Sequence, residues 1–183
     1  GQPVQKSMVV IGNGKSNLVT RALEPQLPFH VVAAEVHCEQ PRDVRMAPVC
    51  REVPGKILGG GHSWQGHELG AMFVRPHPWQ ASASASPSLP VPQAPKHYVL
   101  VVEGADALGT LRALSLPEQL PDFVVWDQGI AQARGQQVLG AASALAAGFF
   151  DNAWNLPATL DDPLRDLSSR GARSEREATS YLP

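Results

Sequence analysis

The stretch "LPDFVVWDQGIAQARGQQVL", residues 120 to 139, carries the reading of the fold. Phe123, Val124, Val125 and Trp126 are all apolar and do not alternate, the pattern of a strand buried on both faces. The strand delivers a carboxylate, Asp127, at its carboxyl end. In an open parallel sheet, ligand and reaction sites lie at that end of the strands. Asp127 is therefore either a site residue or a strand-end residue that caps the next turn.

Working outward, apolar strands alternate with helical patterns. "SMVVIG" reads as a strand, "KSNLVTRALEPQ" as a helix with Leu18, Ala22 and Leu23 on one face, and "FHVVAAEV" as a second strand. After a break, "HYVLVVEG" reads as a strand and "ADALGTLRAL" as a helix with Leu108, Leu111 and Leu114 at helical spacing, ahead of the Phe123–Trp126 strand. "GQQVLGAASALAAGFFDNAW" follows as a long Ala-rich helical pattern with room for another short strand. Such alternation predicts an α/β fold of three layers, a parallel sheet covered on both faces.

Residues 37 to 96 break the pattern. They hold the Gly-rich run "LGGGHSWQGHELG" and the low-complexity piece "ASASASPSLPVPQAP", which is too polar to order itself and is expected to be a linker or mobile loop. The expected organisation is a first β-α-β half over 1–36, a Gly/Pro/Ser-rich insertion or linker over 37–96, a second α/β half over 97–157, and a polar tail over 158–183. Within the insertion, "MFVRPHPW" offers exposed apolar residues, Trp79 among them, as a docking segment.

Composition excludes some classes. The 183 residues are 43% hydrophobic and 17% charged with a net charge of -2, which leaves no electrostatic footprint for nucleic acid. Gln136 to Phe150, the longest run near the C-terminal half free of charge and Pro, falls short of the roughly 20 residues of a bilayer span. No signal-peptide pattern is visible, and Cys38 and Cys50 read as reduced thiols, so a cytoplasmic location is expected.

Two constellations could carry chemistry besides Asp127. In "VVIGNGKSN" a strand, a glycine-rich turn and a helix start offer backbone N–H groups to a phosphate, with Gly12, Gly14, Lys15 and Ser16 as candidate contacts. A full P-loop would need glycine where Val9 stands. The set His37, Cys38, Cys50, His62, His67 and His77 has irregular spacing, and "GHELGAMF" places Ala71 where a zincin's second histidine belongs. The expectation is no metal site, but a Gly-rich loop with incidental histidines. Gly12, Glu103 and Asp127 end three strands and would face one another if those strands were neighbours.

Residues 120–139 also resemble the third strand and following loop of two-component receiver domains: Pro121 and Asp122 precede the strand, Asp127 ends it as the phospho-acceptor would, and Gly135, Val138 and Leu139 stay in register. "MVVIGNGKSNLVTRALEPQLPFHVVAAE" is similar to the family's first strand, helix and second strand. The resemblance implies a flavodoxin- or receiver-like fold. Yet Gly12 and Asn13 stand where the family has its metal-holding acidic pair, Ala131 replaces the loop proline, and no lysine follows Lys96.

Without those partners a carboxylate is a poor phosphoryl acceptor. The reading is thus a degenerate pseudo-receiver: a non-enzymatic signalling or interaction module without cofactor, acting on a protein partner or neighbouring domains. Two alternatives stay open. One is a nucleotide- or phosphate-binding protein using the GNGKS turn; the other is a phosphorylatable receiver with acceptor Asp127 beside Glu103, which would bring magnesium.

Overall fold

The computed structural model describes residues 6–40, 47–78, 95–140, 143–157 and 160. Among these residues ten strands and two short α-helices follow in chain order: β1 (Met8–Ile11), α1 (Leu18–Leu23), β2 (Phe29–Val32), β3 (Glu35–Glu39), β4 (Val49–Val53), β5 (Gly55–Gly59), β6 (His62–Gly66), β7 (Gly70–Pro76), β8 (Tyr98–Gly104), α2 (Ala107–Leu111), β9 (Phe123–Trp126) and β10 (Ala146–Gly148). A 3₁₀ turn extends α2 over Arg112–Ser115, and another follows β9 over Gln128–Ala133.

The strands form a five-stranded sheet in the order β1-β8-β7-β9-β10, a three-stranded sheet β2-β5-β6 and the hairpin β3-β4. In the large sheet β1 and β8 are parallel, β7 runs antiparallel between β8 and β9, and β10 is antiparallel to β9. The two smaller sheets are antiparallel.

The fold is therefore mostly β, with 40% of the described residues in strands and 19% helical, and it is not a three-layer parallel α/β fold of the flavodoxin or receiver kind. The overturning element is β7. It comes from the stretch expected to be a loop-rich insertion, and it lies in the middle of the sheet with Gly70 to Phe73 buried. Met72 and Phe73 are core residues, not an exposed docking segment. Trp79, the piece at 79–94 and, apart from Leu160, the tail from 158 lie outside the described residues.

Other expectations change for local reasons. "FHVVAAEV" breaks at Ala33 and Ala34 into β2 and β3, which join different sheets, so the first β-α-β half does not form. In place of the long Ala-rich helix expected over 135–154, Val138 bridges to Gln119, and the small residues Ala146–Gly148 pack as the short strand β10. Cys38 and Cys50 sit directly opposite in the β3-β4 hairpin and form a disulfide, which corrects the reduced reading and removes its support for a cytosolic location. Among the described residues no helix is long and apolar enough to cross a membrane.

One face of the large sheet is covered throughout, and the other is covered over β7 and β9 but open at β1, where Val9 and Ile11 are exposed. On one, Val10, Val99, Val101, Phe73 and Phe123 pack against Leu23 and Leu27 of the α1 segment and against Phe29 and Ile57 of the smaller sheet. Phe29 is the hub, with ring centroids 5.5 Å from Phe73 and 5.6 Å from Phe123. On the other, Met72, Val124 and Trp126 meet Ile130, Ala133 and Leu139.

Close approach between these layers depends on glycine. A Cβ at Gly70 would overlap the Trp126 indole, and one at Gly109 would strike the Leu69 carbonyl. Trp126 then reaches α2, its Nε1–H donating to the Gly109 carbonyl at 3.0 Å. Gly70→Ala should lower the free energy of unfolding by about 1–3 kcal/mol or more through overpacking. Urea unfolding would check this against Gly140→Ala, where the new Cβ meets neighbours only at 3.6 Å and the change should stay within about 0.5 kcal/mol.

Candidate functional site

The carboxyl ends of β1, β8 and β9 do lie along one edge of the sheet, as parallel strands would place them, but β7 separates β8 from β9. Ala71 pairs with Glu103 on one side and Val125 on the other. Gly12 is adjacent to β8, its N–H donating to the Val102 carbonyl at 2.8 Å. The structure thus brings Gly12 and the end of β8 together and sets Asp127 apart from both.

Asp127 serves as a cap. Its Oδ1 accepts from the Gly129 N–H at 2.7 Å and starts the 3₁₀ turn over Gln128–Ala133. This is the strand-end role that the residue type favours.

The GNGKS turn spends its polar groups on itself. Asn13, nearly buried, donates through Nδ2 to the Gly104 carbonyl at 2.7 Å, while its Oδ1 accepts from the N–H groups of Lys15 at 3.1 Å and Ser16 at 3.3 Å. The Asn13 carbonyl takes the Ser16 and Asn17 N–H groups, and Ser16 Oγ donates to it as well. Lys15 Nζ reaches out to Glu35 Oε1 at 2.6 Å, and the Glu24 carboxylate lies against Gly14. Amides already bonded within the turn and a neighbouring carboxylate make a poor phosphate cradle. Asn13 organises this turn, a role that the Asn-Gly dipeptide could have signalled.

Glu103 is the chemically unusual residue. Its position in β8 turns it to the same face as Val99 and Val101; it is 2% exposed, and its Oε1 has no hydrogen-bond partner among the described residues. Burial first, and then the negative charge of Glu24, push its pKa from 4.5 up to about 8. It is neutral at pH 7. Because the folded value is raised, the stability linked to this group is fully present below about pH 4.5 and is lost as pH rises through about 8. Glu103→Gln should remove that loss: its free energy of unfolding relative to the wild type should rise from pH 5 to pH 8, by at most about 1.4 kcal/mol per pH unit, and its melting temperature should gain on the wild type in step. Thermal unfolding at a series of pH values would show whether the two curves diverge.

One surface concavity lies at Asp127 and another at α2. A cleft of about 440 Å³ is lined by the run Ser63–His67 together with Leu69, Asp127, Gln128 and Leu145. A second groove, of about 280 Å³, is lined by Leu108, Leu111 and Leu114 with Arg112 and Arg134. Arg112 Nε is bound to Glu68 Oε2 at 2.6 Å. Neither concavity was foreseen, since one rests on residues read as loop and the other on leucines whose spacing ordinarily marks a core-facing helix stripe.

The histidines are scattered. His37 lies 3.4 Å from Glu35, His67 lies 3.4 Å from Glu52, and His62 stacks on Trp64 with centroids 5.7 Å apart. Among the described residues no group of three or more His, Cys, Asp or Glu side chains is placed to hold a metal ion. No family model, curated protein or solved structure matches the chain.

Proposed function

We propose that the chain is a non-enzymatic interaction module that works through protein contacts, with the leucine groove as its docking surface. One observation carries this reading. Leu108, Leu111 and Leu114 recur at helical spacing yet are 53%, 57% and 80% exposed. The helix packs on the sheet through its small residues instead: Gly109 is buried against Leu69, and Ser115 is buried in the following turn.

Fully covering a leucine is worth about 1.5–3 kcal/mol, so three at one groove leave a large unused driving force. Arg134 at the same groove suits a partner segment that places an acidic residue beside its apolar ones, whereas Arg112 is held by Glu68. The receiver resemblance lends no support, because the fold it implied is absent.

A photo-crosslinking amino acid at position 111, introduced in cells that naturally make the protein, should give a discrete protein adduct that is lost on adding Leu108→Asp and Leu114→Asp. The same probe at Arg51, exposed on β4, is the control. Equal adduct yield at 111 and 51 would sink the proposal.

A further inference from the structure

We infer that the open edge of β6, together with Asp127, forms a second docking site, which takes up an extended peptide of a partner protein carrying a basic side chain. The inference stands independently of the leucine groove.

The three-stranded sheet has the order β2-β5-β6, so among the described residues β6 has a strand neighbour on one side only. Gly60 and Gly61 join β5 to β6 with φ of +55° and +79°, a two-residue turn that L side chains would resist. Such a turn is closed by a hydrogen-bonded pair, here Gly59 and His62. Bonded and non-bonded pairs alternate along an antiparallel ladder. Trp64 and Gly66 therefore bond back to Ile57 and Gly55, while Ser63 and Gln65, opposite Leu58 and Lys56, turn their N–H and C=O groups outward.

The cleft lies on that outward side. Its lining includes five consecutive residues, Ser63 to His67. Successive strand residues point to opposite faces, so a surface touching all of them follows the strand's edge and not one face. What complements two outward N–H and C=O pairs, two residues apart, is another strand. Nothing in His62–Gly66 blunts the edge: it holds no proline, no lysine and no bulge.

The remaining lining sets the chemistry of the occupant. Leu69 and Leu145 offer apolar contact, and Asp127 is the one carboxylate among the described residues that line the cleft. Its Oδ1 is fixed by the Gly129 N–H, which leaves the second oxygen as an acceptor on a held side chain. A lysine or arginine of an otherwise alternating apolar and polar peptide meets that charge.

The test uses fluorescently labelled peptides of alternating threonine and valine with a central lysine, the same peptides with glutamate at that place, and versions N-methylated at alternate amides. Fluorescence anisotropy is read on the whole chain, on Gln65→Pro and on Asp127→Asn. The lysine peptide should bind the wild type about tenfold more tightly than the glutamate peptide, and added salt should shrink the difference.

Gln65→Pro removes an outward N–H while sparing the bonds to β5, and it should weaken both peptides at least tenfold. Asp127→Asn should abolish only the preference for lysine. N-methylation at the pairing amides should abolish binding to the wild type, a result that needs no variant to fold.

Unchanged binding by Gln65→Pro or by the N-methylated peptides, or no binding of any peptide, would overturn the edge site. Equal affinity for lysine and glutamate peptides would overturn the part given to Asp127 alone. Self-association that disappears in Gln65→Pro would assign the edge to a second copy of the chain, against the peptide.

Discussion

The contact of the Trp126 indole with the backbone of Gly70 is the constraint on which the rest of the molecule turns. It lets β7 lie between β8 and β9 with an aromatic ring passing where a side chain would normally stand. The same ring holds α2 through the Gly109 carbonyl, and α2 approaches closely because Gly109 has no Cβ to strike Leu69. A helix held to a sheet by its glycine side must turn its large residues elsewhere. The exposure of Leu108, Leu111 and Leu114 is thus a consequence of the packing beneath them, not a failure of it.

Part of this was legible in the sequence. Phe123–Trp126 is a strand buried on both faces, β1, β2 and β8 lie within the predicted strands, α1 and α2 within the predicted helices, and Asp127 ends its strand as an aspartate cap would. Strand order was not legible, because local periodicity says that a segment is extended without saying which segment lies beside it. β7 was hidden by its ends, since the strand closes on Pro76, with His77 and Pro78 after it, and the Gly-rich run leads into it. The leucines of α2 misled in the other direction: helical spacing identifies a stripe, and only the tertiary structure decides whether the stripe is covered. The β5-β6 hairpin had its signal in Gly60 and Gly61, yet three consecutive glycines read equally well as loop.

Glu103 shows how the same pairing acts on a single charge. An acid at the end of a strand in an open parallel sheet would face solvent and neighbouring loops. Here β7 pairs with β8 as far as Gly104, and α1 with the turn after it lies on that face of the sheet, so the carboxyl is enclosed. Burial favours the neutral acid, and Glu24 nearby opposes its ionisation further. The cost is accepted without a compensating hydrogen bond to Oε1, which makes this the least satisfied described carboxyl of the core.

The insertion of β7 also decides between the chemistries that a strand-end aspartate could serve. A phosphoryl-accepting pocket needs its acids on adjacent strand ends, so that their charges converge on one metal and one phosphoryl group. β7 places Ala71 between Glu103 and Val125, buries Glu103, and leaves Asp127 at the head of its own turn. The path that keeps the two acids apart also builds the cleft, because the chain reaches β7 by way of the β5-β6 hairpin and so carries the β6 edge past the end of β9. A carboxylate without acidic neighbours thereby lies beside a strand edge, and a fixed acceptor next to outward backbone groups is the arrangement on which the proposed peptide site rests.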